Sequence, residues 1–143
     1  MSDVHIQFTD RFPIRWGDMD ALGHVNNTEY FRYMEQARVN WLFLKERAIF
    51  QPGGLSFVAV TAQCTFYKPI HFPAHLIIDS WASDVGRSSV VINHRIRTEA
   101  QPETVFAAGN AKLVCIDLGT QRSAPLTPDM LRYFESIHQL PEQ

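Results

Sequence analysis

The spacing of apolar residues divides the chain into one helical region and a series of strand-like runs. Residues 5–16 alternate as a strand, and Pro13 within them indicates an edge position or a bend. From 27 to 47 the period changes to that of a helix. One face of this helix carries apolar residues at helical spacing, namely Tyr30, Met34, Ala37, Trp41 and Leu44. Further apolar residues widen the stripe, so the spacing predicts a largely buried helix.

A period of two returns after the glycine-containing loop at 51–54. It predicts four strands, over 57–68, 76–83, 88–98 and 105–116. Thr127 and Pro128 are suited to the cap and the first position of a short helix that runs to about His138. Short links between successive strands favour an antiparallel meander, and the order of elements indicates the α+β class. One sheet covers one side of an apolar helix, so we expect a second subunit on the other side.

Composition and charge then narrow the function. The 143 residues are 45% hydrophobic and 20% charged, which fits a single globular domain over 1–143. With a formal net charge of -2, the sequence lacks the excess of basic residues that binding to nucleic acid or an anionic membrane requires. No secretory signal or apolar run of about 20 residues is visible. Cys64 and Cys115 lie in apolar alternating runs, so we expect reduced, buried thiols and a cytoplasmic protein.

The stretch GDMDALGHVNN at 17–27 concentrates polar and glycine residues just before the helix. Asp18 is suited to local hydrogen bonds, and Asn26 is a good helix cap. Gly17 and Gly23 allow backbone angles closed to other residues. The stretch therefore has both a structural interpretation, as a connection, and a chemical one, as a reaction centre.

Two other features bear on the chemistry. His71 and His75 are separated by Pro73 in a link between strands, which argues against a shared metal site. Glu35 and Arg38 are three residues apart on the predicted helix, so we expect an ion pair between them.

The motif WGDMD-x-x-GHVNN-x-x-Y at 16–30, followed by F-x-x-ME-x-AR at 31–38, resembles the hot-dog fold acyl-CoA thioesterases. The most similar branch is the 4-hydroxybenzoyl-CoA thioesterase type. Weaker matches are Y-x-P-I at 67–70, GRSS at 86–89 and the strand at 107–117, so the resemblance covers about 8–118. It implies a curved antiparallel sheet wrapped around one long central helix. It also implies an acyl-CoA substrate, no cofactor or metal, and a homodimer or homotetramer with the site at the subunit interface.

The resemblance also implies roles for single residues. Asp20 is expected to be the catalytic carboxylate, acting as a nucleophile or as a general base that activates water. The backbone N–H of Asn27, at the start of the helix, is expected to stabilise the oxyanion. His24 either takes part in the chemistry or is a packed histidine. Substrate contacts are expected from Gly23, Asn26, Tyr30, Lys68, Arg87, Ser88 and Ser89, with Arg95 and Arg97 as further candidates for the coenzyme A phosphates.

Two other functions stay open at this point. A hydratase or dehydratase of enoyl thioesters on the same fold uses an aspartate and a histidine a few residues apart, which Asp20 and His24 could mimic. A binding module would use the loop only as structure and hold an acyl chain or metabolite, since a fold does not fix a function. Acyl carrier protein in place of coenzyme A is a further variant.

Overall fold

The computed structural model describes residues 4–138. Within them the chain forms six strands and three α-helices, with a 3-10 turn at Trp16–Asp18 and a π-helical segment at Val39–Lys45. In chain order the strands and α-helices are β1 (Phe8–Pro13), α1 (Asn27–Arg38), α2 (Arg47–Phe50), β2 (Leu55–Phe66), β3 (His75–Ser83), β4 (Ser89–Thr98), β5 (Ala107–Asp117), β6 (Arg122–Ser123) and α3 (Pro128–His138).

The strands form one antiparallel sheet in the order β1-β3-β4-β5-β2, with β6 added to β5. The predicted meander is therefore correct for β3, β4 and β5 and wrong for β2, which pairs with β5 at the far edge. The reason lies in the link over 67–74, which is longer than a hairpin loop and carries the chain across the sheet. As a result, β2 is an edge strand with one side unpaired.

The inner face of the sheet packs on α1, as the period-two pattern predicts. Along β4 burial alternates strictly, with the buried set facing the helix. The helix contributes Tyr30, Tyr33, Met34 and Ala37 to the core. Gly109 of β5 lies directly beneath Met34, because a Cβ on this glycine would be 3.0 Å from the Met34 sulfur. Small residues on β5 thus let the helix approach the sheet closely.

The predicted single helix over 27–47 is wrong in its second half. The α-helical hydrogen bonding of α1 gives way to the π-helical segment at Val39–Lys45, and α2 follows as a separate short helix. A π segment holds more residues per turn and rotates the positions after it relative to the regular period. Leu44, predicted on the buried face, is therefore 63% exposed, whereas Trp41 is fully buried.

The C-terminal helix begins as the sequence predicts. Thr127 caps α3, since its hydroxyl oxygen accepts a hydrogen bond from the Met130 N–H at 3.2 Å. The helix covers the end of the core around Trp41, and the indole N–H of Trp41 donates to the Tyr133 hydroxyl at 3.0 Å. Phe134 packs edge-on against the same indole. The core therefore continues from α1 to α3 along the inner face.

The outer face carries a buried charge cluster. Asp79 is 2% exposed and accepts hydrogen bonds from Arg95, Arg97 and Thr9. Burial alone would raise the pKa of Asp79, but the hydrogen bonds and charges of Arg97, together with Thr9 and Arg95, outweigh it and lower the pKa. Both arginines thus form ion pairs with this carboxylate.

Two smaller expectations are corrected. Within the described residues Glu35 and Arg38 form no ion pair. Burial of the guanidinium lowers the pKa of Arg38, and the Glu35 charge opposes this shift only in part. Both cysteines are free, but only Cys115 is buried. Cys64 lies on the edge strand and is half-buried, and this burial raises the pKa of its thiol to about 11.

We predict that Gly109→Ala destabilises the protein. A Cβ at this position would lie 2.3 Å from the backbone oxygen of Gln63, and backbone cannot move aside as a flexible side chain can. We expect the free energy of unfolding to fall by about 2 kcal/mol or more. Gly53→Ala is the control, since nothing lies within 4 Å of a Cβ there. Equal stability of the two variants in urea titrations would contradict the close approach of the Gln63 backbone to Gly109.

We also predict a pH-dependent stability that arises from His94. This side chain is 1% exposed, its Nδ1 lies 2.8 Å from the Ser80 hydroxyl, and its Nε2 has no hydrogen-bond partner within the described residues. Burial, and then the Arg38 charge, lower the pKa of His94 to about 3. Below pH about 6.5 His94 is protonated in the unfolded chain but stays neutral in the folded chain. The free energy of unfolding therefore falls as the pH falls towards 3.

We expect this effect to remove about 2 kcal/mol between pH 8 and pH 5. Urea titrations at both pH values, on the wild type and on His94→Gln, measure it. Glutamine cannot take up a proton, so the free energy of unfolding of the variant should fall by about 2 kcal/mol less than that of the wild type between these pH values. The same pH dependence in both proteins would show that His94 is not buried in its neutral form.

Candidate active site

The polar stretch before α1 folds as a tight hairpin. The Asp20 N–H donates to the His24 carbonyl at 3.0 Å, and the Asn26 N–H donates to the Asp18 carbonyl at 3.0 Å. Gly23 closes the turn with φ of 89°, a left-handed conformation that side chains other than glycine rarely adopt. The hairpin therefore has one arm that carries Asp20 and a second arm that leads into the helix.

Asp20 is half-buried on the first arm. One carboxylate oxygen, Oδ1, accepts a hydrogen bond from the Leu22 N–H at 2.9 Å, which closes a local turn. The other oxygen, Oδ2, has no hydrogen-bond donor among residues 4–138. The side chain is thus held at one oxygen and left open at the other.

The start of α1 is capped by Asn26, as predicted. Its side-chain oxygen accepts from the Thr28 N–H at 2.9 Å and from the Thr28 hydroxyl at 2.8 Å, and its carbonyl accepts from the Glu29 N–H. The N–H of Asn27, the first residue of the helix, meets no acceptor in the part of the chain that the structure describes. The positive end of the helix therefore keeps one open backbone donor.

A second histidine, His71, lies against the hairpin. Its ring meets that of His24 edge-on, with centroids 5.4 Å apart, and its Nδ1 is 3.1 Å from the Gly23 carbonyl oxygen. Because a carbonyl only accepts, Nδ1 of His71 carries the proton in this contact. The Val25 N–H donates to the Ile70 carbonyl at 2.9 Å, so the link over 67–74 supports the second arm. Sequence reasoning considered His71 only as a metal ligand, and no local pattern signals its contact with Gly23.

A cavity of about 330 Å³ opens beside this histidine. Lys68, His71 and His75 provide its basic groups, and its remaining walls are mostly apolar, including Ile70 and Phe106. Lys68 is exposed here, and its role in substrate contact stays a prediction. The cavity could hold an apolar group with an anionic one at its rim.

Three further expected substrate contacts lie away from this cavity. Arg87 and Ser88 precede β4 and Ser89 is its first residue, whereas Thr98, at the far end of this strand, lines the Lys68 cavity. At the rise of an extended strand the two ends of β4 are about 30 Å apart. Within one chain the structure does not bring these residues to Asp20. The other candidates, Arg95 and Arg97, are paired with Asp79.

Tyr30 was expected to contact substrate, but it is a core residue in the single chain. It is 1% exposed, and its ring packs edge-on against Phe66, with centroids 5.0 Å apart. Burial raises the pKa of its hydroxyl, so the group stays protonated. Tyr30 is therefore closed to substrate within one chain, whereas Gly23 and Asn27 are exposed.

Among the described residues, no three or more histidine, cysteine or acidic side chains are grouped so that they could hold a metal ion. No helix in the same range is long and apolar enough to cross a membrane.

Comparison with known proteins identifies the family. The sequence model described as the thioesterase-like superfamily matches residues 14–134. The chain belongs to this superfamily. Its architecture is the hot-dog fold, and it is a thioester hydrolase.

Individual relatives support this assignment. The chain is 28% identical over 127 residues to the long-chain acyl-CoA thioesterase FadM of Escherichia coli K12, across 87% of this chain and 94% of FadM. The solved structure of the PA2801 protein of Pseudomonas aeruginosa is 38% identical, with a TM-score of 0.77 over 87% of this chain and 94% of that one. Slr0204, a 1,4-dihydroxy-2-naphthoyl-CoA thioesterase from Synechocystis, shares the fold at 20% identity, with a TM-score of 0.78 over 93% of this chain and 98% of that one.

Proposed function

We propose that this thioesterase hydrolyses acyl-CoA thioesters, with Asp20 as the catalytic carboxylate and the Asn27 N–H as the oxyanion donor. The observation that carries the proposal is the capping pattern of α1. It occupies the N–H groups of Thr28 and Glu29 and leaves that of Asn27 open, next to the hairpin that holds Asp20.

The two groups have complementary roles in thioester hydrolysis. The carbonyl oxygen gains negative charge as the carbon is attacked, and an open N–H at a positive helix end stabilises this charge. Removal of one such donor typically costs about 3 kcal/mol of barrier. The open Oδ2 of Asp20 is then free to attack the carbon or to take a proton from an attacking water. Attack by the carboxylate expels the thiolate and leaves a mixed anhydride, which a water then hydrolyses, whereas attack by the activated water expels the thiolate directly. In both routes the C–S bond breaks and the thiolate takes up a proton, so the products are free acid and coenzyme A thiol.

His24 is the proposed source of the proton for the departing thiolate. It lies on the hairpin beside Asp20, and its ring contacts His71. The proton on Nδ1 of His71 is held by the Gly23 carbonyl, which favours His24 as the more mobile donor. A packed His24 without this role would leave the main proposal for Asp20 unchanged.

Lys68 is the proposed contact for a coenzyme A phosphate on the same chain. It is exposed at the rim of the 330 Å³ cavity, next to the link that supports the hairpin. A lysine there attracts phosphate as a point charge. Gly23 and Asn26 are the proposed substrate contacts on the hairpin itself.

We propose in addition that the active form is a homodimer paired along the free edge of β2. This strand spans Leu55–Phe66, pairs with β5 alone among the described strands, and exposes Val58, Val60 and Phe66. A long apolar edge strand invites pairing with another chain. Two-fold antiparallel pairing would set the Leu55 end of one copy beside the Phe66 end of the other.

Such pairing would also give Arg87, in the turn at 86–89, a place in the site. Arg87, Ser88 and Ser89 lie at the same end of the sheet as the start of β2, and the catalytic hairpin lies at the other end. In an antiparallel pair, the end of the sheet with the 86–89 turn in one copy lies beside the end with the hairpin in the other copy. The turn at 86–89 of the second copy would then approach the hairpin of the first and add to its phosphate contacts.

We predict that Asp20→Asn abolishes most thioesterase activity. The amide has nearly the same shape but is neither a base nor a nucleophile, so we expect the rate to fall at least about 100-fold. Thiol release from short, medium, long and aromatic acyl-CoAs, measured with both proteins, tests the role and names the substrate class. Asp129→Asn, on the exposed surface of α3, is the matched control and should retain full activity.

A folded Asp20→Asn variant with a rate within threefold of the wild type would contradict the assignment. If the wild type releases thiol from none of these substrates, acyl-CoA hydrolysis itself is wrong. Hydration of enoyl-CoA is then the reaction to measure next.

We predict that Val60→Lys weakens the dimer. Val60 is 52% exposed on the edge strand, and a buried lysine at the interface would have to lose its hydration. Light scattering of the wild type should give at least twice the 16.4 kDa of one chain, and the variant should shift towards 16.4 kDa. Leu131→Lys, at 42% exposure on α3, should not shift. A monomeric and fully active wild type would contradict the pairing.

A further inference from the structure

Asp18 connects the catalytic hairpin to the helix through a buried tyrosine. The Tyr33 hydroxyl donates to Oδ2 of Asp18 at 2.7 Å, and the Arg15 N–H donates to the same oxygen at 3.0 Å. Tyr33 is 6% exposed and lies on the buried face of α1. The hydrogen bond therefore joins a fixed point in the core to the arm that carries Asp20.

The main chain of Asp18 holds the other arm. Its carbonyl accepts from the Asn26 N–H at 3.0 Å, and Asn26 directly precedes the open donor of Asn27. Asp20 follows Asp18 by two residues on the first arm. The side chain of Asp18 is therefore bonded to the helix. Its main chain lies two residues from Asp20 and is bonded to the residue that precedes Asn27.

The contacts on the sheet side of the hairpin do not replace this connection. The hydrogen bonds from Val25 to Ile70 and from His71 to Gly23 hold the second arm. On the first arm the link over 67–74 offers only an amide-to-sulfur contact, from the Phe72 N–H to the Met19 sulfur at 3.4 Å. The strong support for the first arm comes from Tyr33.

The chemistry of the pair suits a rigid support. Burial, and then the hydrogen bond with Asp18, raise the pKa of the Tyr33 hydroxyl, so it remains a donor throughout the pH range of enzyme assays. A short O–H···O bond to a carboxylate is among the stronger hydrogen bonds in proteins.

We propose that Tyr33 and Asp18 are positioning residues that set the geometry between the Asp20 carboxylate and the Asn27 N–H. Neither side chain touches the substrate in this proposal. It rests on the proposed function, because it assigns the pair to the same two catalytic groups. Loss of the bond lets the first arm move relative to the helix end, and small displacements of a catalytic group cost up to about 100-fold in rate.

Tyr33→Phe tests the proposal because it removes only the hydroxyl. We expect kcat to fall about 10- to 100-fold, with KM within about threefold of the wild type. Tyr133→Phe is the matched control, since it removes another hydroxyl that is hydrogen-bonded, to Trp41, at the far end of the core. The control should lose stability but keep its kcat.

A double-mutant cycle separates positioning from general destabilisation. In the Asp20→Asn background, assayed at high enzyme concentration, Tyr33→Phe should reduce the residual rate by less than twofold. An equal loss in both backgrounds would show that Tyr33 acts through overall structure and would overturn the proposal. If Tyr33→Phe does not fold, Asp18→Ala, which removes the acceptor of the Tyr33 hydroxyl, takes its place in the same cycle.

The outcomes also separate this inference from the proposed function. A wild-type kcat in Tyr33→Phe, beside an inactive Asp20→Asn, overturns only the positioning role. A wild type without thioesterase activity overturns both, because there would be no reaction to position.

Discussion

The burial of α1 against the inner face of the sheet is the interaction on which the rest of this structure depends. Gly109 leaves room for Met34, and the small neighbours Ala107 and Ala111 extend this shallow surface along β5. The helix is therefore fixed in depth and in direction, and so is its N-terminal end. A backbone donor is useful for catalysis only if it does not move when charge develops, and a helix packed in this way provides one.

The composition of the hairpin follows from what this helix end requires. Asn26 accepts from the N–H groups of Thr28 and Glu29, Gly23 adopts the left-handed turn, and Asp18 joins the hairpin to Tyr33. These residues use their polar groups within the structure, which leaves Oδ2 of Asp20 and the N–H of Asn27 without partners among residues 4–138. The polar stretch is thus a connection and, on our proposal, a reaction centre, because its structural bonds are what leave two groups open.

Local sequence patterns predict much of the fold and of the candidate site, and they fail where a feature depends on residues distant in sequence. Period-two alternation locates β3, β4 and β5, and side-chain chemistry identifies the caps Asn26 and Thr127, because these features depend on neighbours in sequence. The π-helical segment, the edge position of β2 and the contact between His71 and Gly23 depend on packing across the chain. The bond between Tyr33 and Asp18 belongs to the same class, since its partners are linked only by the fold.

One arrangement accounts for two features that a single chain leaves unexplained. The edge of β2 exposes apolar residues and, among residues 4–138, pairs with no further strand. The turn at 86–89 lies at the opposite end of β4, about 30 Å along the strand, from Thr98 in the wall of the Lys68 cavity. A two-fold axis through β2 would cover the edge and exchange the two ends of the sheet between copies. Sheet pairing and site completion would then be the same event, which gives a physical reason for a thioesterase of this size to depend on a second copy.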